Sequence, residues 1–300
     1  MNTSRALAIL GSLIYVTTVF AVDANPWKLS LNSNLTATLS AYSKNWAGGD
    51  AGTVSWTAQL NADAEKQAAK WLLNKNTLKL AFGQTETQNK DTKRWAAPQK
   101  STDLIDFETL GRFTLGGVVD PFIAAHVVSQ FMDMRDTLLM RYGNPVDITE
   151  SFGVARTIIK KDSVGWVARL GGSVRQGVDR HKLMASGARE NDVVDDGGLE
   201  FVTEFKATTR QNWITFGSLL RINEALLTSK LDEYKDLPAK HRDDWRYPDV
   251  NWENSLTLNV TRFLMVNLYL QLLYDKQVHE NAQFKNTSSL GLTVNLKTEK

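Results

Sequence analysis

Apolar and polar residues alternate with period two in stretch after stretch, and this pattern limits what the chain can become more than any other feature. Leu29, Leu31, Leu35, Ala37, Leu39 and Ala41 share one face of the first stretch, and Asn32, Asn34, Thr36, Thr38 and Ser40 share the other. Val54, Trp56, Ala58, Leu60 and Ala62 repeat the pattern against Thr53, Ser55, Thr57, Gln59 and Asn61. Alternation of this length specifies strands with one apolar face. Strands are expected near 29–42, 52–64, 70–84, 100–114, 121–132, 146–159, 164–177, 198–209, 212–226, 249–261, 263–275 and 284–297.

The connections between these strands run 9, 5, 15, 6, 13, 4, 20, 2, 22, 1 and 8 residues, long and short in strict turn. A soluble sandwich has no reason to gather every long loop at one end, whereas an outer-membrane barrel puts short turns in the periplasm and long loops outside. Aromatic residues fit that orientation. Trp27, Trp71, Phe122, Trp166, Trp213 and Phe263 fall at the short-turn ends, and Tyr42, Phe82, Phe131, Trp252, Tyr274 and Phe284 near the opposite ends. Such rings favour the headgroup zone, and two girdles are expected of a membrane barrel.

Residues 1–21 read as a cleaved secretory signal, with Arg5 in the n-region, an apolar run over 6–20 and Val19-Phe20-Ala21 at the cleavage site. The apolar run is too short to span about 30 Å of hydrocarbon. The expected fold is therefore all-β: a closed antiparallel transmembrane barrel of about twelve strands, formed by residues 22–300 as one domain in the outer membrane of a Gram-negative bacterium. Its expected partners are outer-membrane lipid and lipopolysaccharide. Lys plus Arg total 35 against 33 Asp plus Glu, which gives no signature for nucleic acid. The absence of cysteine excludes disulfides, thiolate metal sites and a cysteine nucleophile.

Short motifs add a family likeness. Asn45-Trp46-Ala47-Gly48-Gly49, Asp196-Gly197-Gly198-Leu199-Glu200, Val250-Asn251-Trp252-Glu253 and Leu273-Tyr274-Asp275 resemble recurring features of the domain-of-unknown-function 3078 family. The resemblance implies an outer-membrane β-barrel of unassigned activity and supplies no catalytic residues.

Arg or Lys on a lipid face costs about 2–4 kcal/mol at mid-depth, so charges within strands mark the lumen. That rule assigns Asp63, Asp106, Glu108, Glu150, Glu200, Glu204 and Glu253 to the interior, with Lys79, Arg112, Arg156, Arg169, Arg175, Lys206 and Arg221. Acids and bases balance, which implies paired charges rather than a strongly selective field. Arg175 is expected between Glu150 and Glu200, His126 beside Gln130, Leu258 toward lipid and Thr257 inward. No H-x-x-x-H pair, G-x-S-x-G elbow or calcium loop occurs, so no catalytic residue, metal site or cofactor is expected. The segment 227–248 reads as a charged, solvated outer loop suited to a surface partner. Two functions follow: a narrow, charge-balanced pore for small polar solutes, or a closed barrel that binds partners through its long loops.

Overall fold

The computed structural model describes residues 27–297 apart from 41, 43–50, 137, 185, 210, 212 and 262. The expected signal segment and the motif at 45–49 lie outside the described residues. Chain order runs β1 (Lys28–Ser40), β2 (Thr53–Ala69), β3 (Leu72–Thr87), β4 (Gln99–Phe113) and β5 (Asp120–Ser129). A small hairpin follows, β6 (Met132–Asp133) and β7 (Arg141–Tyr142), then β8 (Val146–Lys161), β9 (Val164–Leu183) and β10 (Arg189–Thr208). The last elements are β11 (Ile214–Thr228), helix α1 (Leu231–Lys235), β12 (Asp249–Asn259), β13 (Leu264–Tyr274) and β14 (Gln283–Lys297).

Twelve of these strands form one closed antiparallel barrel in the order β1-β14-β13-β12-β11-β10-β9-β8-β5-β4-β3-β2. Each strand pairs with its neighbours in sequence, β5 with β8 across the small hairpin, and β14 closes on β1. All twelve expected strands are present, with ends displaced by a few residues, except at one hairpin. The expected loop at 178–197 is mostly strand, because β9 runs on to Leu183 and β10 begins at Arg189. This ribbon rises past the ends of β8 and β11, whose pairing with it stops at Val178 and Asp196. Above that level its residues are mostly polar on both faces, so no apolar alternation marks it as strand.

The distribution of side chains is inverted relative to a soluble protein. Leu35, Leu39, Ile123, Phe152, Leu170, Leu199, Leu270, Leu290 and Leu292 are all exposed on the outer face. The buried apolar residues among those described are Ala81, Phe122, Ala155, Val202, Trp245 and Met265, while Asn34, Arg112, Thr149, Ser151, Arg169 and Glu200 are buried polar ones. An exterior of this kind belongs in hydrocarbon, where closure satisfies the backbone polar groups along the wall. No helix of the described residues is long and apolar enough to span a membrane.

Register places Leu258 outward opposite Ile214 and Val266, and Thr257 inward opposite Thr215 and Asn267, as expected. Trp27, Trp71, Trp166, Trp213 and Phe263 are exposed at the short-turn end. Phe122 departs from that girdle. It is buried inside the barrel, with the Arg169 guanidinium 5.7 Å from its ring centre.

One corner of the wall depends on glycine. Gly153 on β8 pairs directly with Gly171 on β9. A Cβ on Gly153 would lie 2.2 Å from the Leu170 carbonyl oxygen, and one on Gly171 would lie 2.2 Å from that of Phe152. Only glycine permits so close an approach of two backbones, and such positions mark tight bends in barrels.

The two faces of β13 supply a direct check on the lipid-facing exterior. Leu270→Arg should destabilise the barrel in lipid vesicles by about 2–4 kcal/mol, and Gln271→Arg, whose side chain enters the lumen, clearly less. Urea unfolding followed by tryptophan fluorescence measures both, and equal costs would contradict the assignment of faces.

Candidate functional site: a lumen bridged by charges

Inward positions near the strand centres carry charges that pair across the lumen. Glu108 on β4 accepts hydrogen bonds from Arg169 on β9 and, at 2.6 Å, from Arg221 on β11. Arg221 also donates to Glu200 on β10. Glu200 is 2% exposed and Arg169 is 7% exposed, so the layer is largely out of water. Beside it, Lys79 on β3 donates to Glu253 on β12 at 3.1 Å. His126 Nε2 lies 3.1 Å from Asp106 Oδ1, and Asp106 is the cross-strand neighbour of Lys79. Toward the short-turn end, Lys75 on β3 reaches Glu204 on β10 at 2.7 Å. Arg112 holds Asp120 at 2.8 Å, Asp63 accepts from Thr77 at 3.2 Å, and Lys206 follows Glu204 on the same face.

These contacts set the shape of the cross-section. A circular twelve-stranded barrel, with strands about 4.8 Å apart and tilted about 45°, is roughly 25 Å across. A lysine and a glutamate stretched end to end span only about 14 Å. Yet Lys79 meets Glu253, Lys75 meets Glu204 and Glu108 meets Arg221, each between strands five places apart around the ring. The barrel is therefore flattened, with β3 and β4 pressed toward β10, β11 and β12. The ion pairs divide the lumen into two lobes. Arg169, Phe122, Thr149 and Ser151 fill the lobe beneath β5, β8 and β9, where all four are buried. The lobe beneath β1, β2, β13 and β14 is lined mainly by uncharged Thr36, Gln59, Asn61, Asn267 and Thr287.

Two expected lumen residues lie elsewhere. Glu150 and Arg156 are exposed on the outer face of β8, which they share with Ile148, Phe152 and Val154, while Thr149, Ser151, Gly153 and Ala155 face inward. Charge alone misleads here. The inward face of β8 carries small residues because Arg169 and Phe122 occupy the space in front of it. One residue of each sign is lost, so the other expected lumen charges still balance among themselves.

The expected Arg175 cluster is also corrected. Arg175 pairs with Thr149 on one side and Asp196 on the other, and it contacts Asp249 at 2.9 Å and Asp147 at 3.6 Å. Glu200 instead lies opposite Gly171 and binds Arg221. The β9/β10 turn sits further from the membrane than expected, which slides the register by several residues. His126 likewise meets Asp106 rather than Gln130, because Gln130 lies beyond the end of β5 and binds Lys100 and the Asn144 carbonyl. Sequence reasoning missed Lys75, Asp120, Asp147 and Asp249. Lys75 shares the parity of Lys79 and is legible on that ground, whereas the three aspartates stand at strand ends where parity carries little weight.

The long-loop end is ordered by two further networks. Asp133, Arg141, Asn144 and Asp179 are buried together, with Arg141 2.5 Å from Asp133 and 3.0 Å from Asp179. Arg135 joins them, and Arg189 binds Asp136 at 2.7 Å, tying the 130–145 loop to the β9/β10 ribbon. Burial pushes the Asp133 carboxyl upward, but its bonds with Arg135 and Asn144 prevail and hold it well below the usual carboxylate range. The 229–248 segment is folded rather than simply solvated. Asp244 lies 2.8 Å from His241 and 3.1 Å from Lys276, and the adjoining Trp245 is buried and stacks on Tyr234. Trp245 shares the wall of a cavity at this mouth with Arg175, Asp196, Asn223 and Asp249.

Two measurements probe these networks. Arg221→Ala leaves the buried Glu200 carboxylate without its partner and Glu108 with Arg169 alone, and should cost about 3–5 kcal/mol, read from urea unfolding. Arg175→Ala should cost under about 1 kcal/mol, since its side chain is 36% exposed and solvent screens the pair. A depressed carboxyl stabilises the fold above its unfolded pKa and loses that contribution as pH falls through its folded value. The 130–145 loop should accordingly stay resistant to pepsin at pH about 4 and become cleavable on further acidification, whereas Asp133→Asn should remove that dependence.

Barrels of known structure resemble this one loosely. The COG4313 outer membrane channel from Pseudomonas putida F1 is 15% identical with a TM-score of 0.45, covering 94% of this chain and 100% of that one. The translocator domain of the autotransporter NalP from Neisseria meningitidis is 8% identical with a TM-score of 0.36, covering 98% and 96%. OprB from Pseudomonas putida is 10% identical with a TM-score of 0.28, covering 90% and 94%. No curated protein matches the chain. The family model described as "Protein of unknown function (DUF3078)" matches residues 37–134, from β1 to the β6 hairpin, and of the four motifs that carry the resemblance only the one at 45–49 lies within it.

Proposed function

We propose that this chain is a transport barrel of a Gram-negative outer membrane, with a narrow, charge-latched lumen that passes small polar solutes. The observation that carries this reading is the central layer, where Glu108, Arg169, Arg221 and Glu200 join opposite walls of a barrel whose exterior suits lipid. Paired charges of both signs give a solute polar partners along its path without a net field to exclude either ion. The short turns face the periplasm, and the long loops and ribbon stand outside among lipopolysaccharide headgroups. A second reading is favoured by the burial of Glu200 and Arg169: a barrel closed at mid-height that works through a surface partner at its loop end.

Conductance in a planar bilayer separates the two. The wild-type barrel should show small openings with little ion preference. Glu108→Gln leaves an excess of positive charge at the constriction and should favour anions, and Arg221→Gln should favour cations. An inserted protein that conducts in none of the three forms would support the closed barrel instead.

A further inference from the structure

The seam that closes the barrel is paired along only part of its length. β1 meets β14 from Ser30 opposite Lys297 to Thr36 opposite Gly291, although β1 continues to Ser40 and β14 begins at Gln283. Residues 37–40 and 287–290, which would face each other across the seam, therefore each have a sheet partner on one side only among the described residues, β2 for the first and β13 for the second. The unpaired stretch lies on the loop-end side of the seam. It is still at membrane depth, since Leu268, Leu270 and Leu272 of the adjoining strand present a continuous apolar face opposite Ser288, Asn286 and Phe284. Leu39 and Leu290 border the gap and are strongly exposed, as is Phe284 further along β14. An open sheet edge among lipid is costly, because backbone N–H and C=O groups there find no water.

The lumen behind the gap has a chemistry of its own. It is the lobe on the β1 and β14 side of the cross-wall ion pairs, and its inward positions near the seam are Thr36, Thr38, Thr287 and Ser289. Lys285 faces this lobe opposite Gln271, is exposed, and is the one lumen cation there without an ion pair among the described residues. Hydroxyls and one ammonium group on the inside, with Leu39, Leu290 and Phe284 outside beside the outward Asn286 and Ser288, match a molecule that has an anionic head and an alkyl tail.

We propose that the unpaired half of the β1/β14 seam is a lateral portal, through which the alkyl chain of a long-chain carboxylate passes between the lumen and the outer leaflet while Lys285 holds its head. This inference rests on the transport-barrel reading and names a second substrate class for it. Binding forms hydrogen bonds and an ion pair only. No covalent step is involved.

The chain has no cysteine, so engineered pairs report without background. Extending the register by two places puts Thr38 opposite Ser289, and Thr38→Cys with Ser289→Cys joined by a short bis-maleimide ties the portal shut. Fluorescent dodecanoate uptake into proteoliposomes should fall at least tenfold on cross-linking, about the effect of 1.4 kcal/mol, while potassium conductance stays unchanged. Lys285→Gln should weaken dodecanoate binding by about tenfold, as loss of one charge-assisted hydrogen bond does, and leave dodecanol binding unaltered. Full uptake by the cross-linked barrel, or no uptake by a wild-type barrel that conducts potassium, would overturn the portal alone. A wild-type barrel that neither conducts nor takes up dodecanoate would overturn the transport reading with it.

Discussion

A wall of strands in hydrocarbon has to satisfy its own backbone, and the rest of this structure follows from that constraint. Strand edges in lipid are costly, so the sheet closes. Closure turns one face of every strand toward lipid and the other toward a lumen, which fixes the period-two pattern along the whole chain. It also removes the usual apolar core. What fills the interior instead is charge, and buried charge is stable only in pairs. The Glu108, Arg169, Arg221 and Glu200 layer is the consequence: each guanidinium has a carboxylate, and each carboxylate has a guanidinium.

That layer in turn shapes the wall. Strands five places apart are drawn within reach of two side chains, and the wall bends sharply where Gly153 meets Gly171. The two features fit each other, since a flattened ring needs tight corners at the ends of its long axis. Small inward residues on β8 belong to the same arrangement. Thr149, Ser151 and Ala155 leave room for Arg169 and Phe122, so bulk on one strand is matched by its absence on the next.

Much of this is legible in the sequence. The strand positions, the closed order and the lumen charges other than Glu150 and Arg156 are local consequences of alternation. The pairing partners are not legible, because a charge reveals its face but not its register. Arg175 shows why. Its face follows from parity, yet its contacts with Asp249 and Asp147 depend on where the β9/β10 turn falls, and a ribbon with two polar faces hides that turn. Contacts across the lumen, such as Lys79 with Glu253, join segments 174 residues apart and leave no trace in local pattern. Phe122 marks the opposite limit: an aromatic residue at a strand end reads as a girdle ring, and only the neighbouring arginine shows why it turns inward.

A flattened ring has two widths instead of one diameter. The short width, between the wall of β3 and β4 and the wall of β10 to β12, is bridged by side chains, so on the transport reading proposed above molecules would be sorted by thickness before they are sorted by length. Flat or thread-like molecules can align with the long axis, while compact ones of the same mass meet both walls at once. Size exclusion measured with a series of globular sugars would then understate what the barrel admits, and a series graded by planarity would rank molecules in a different order.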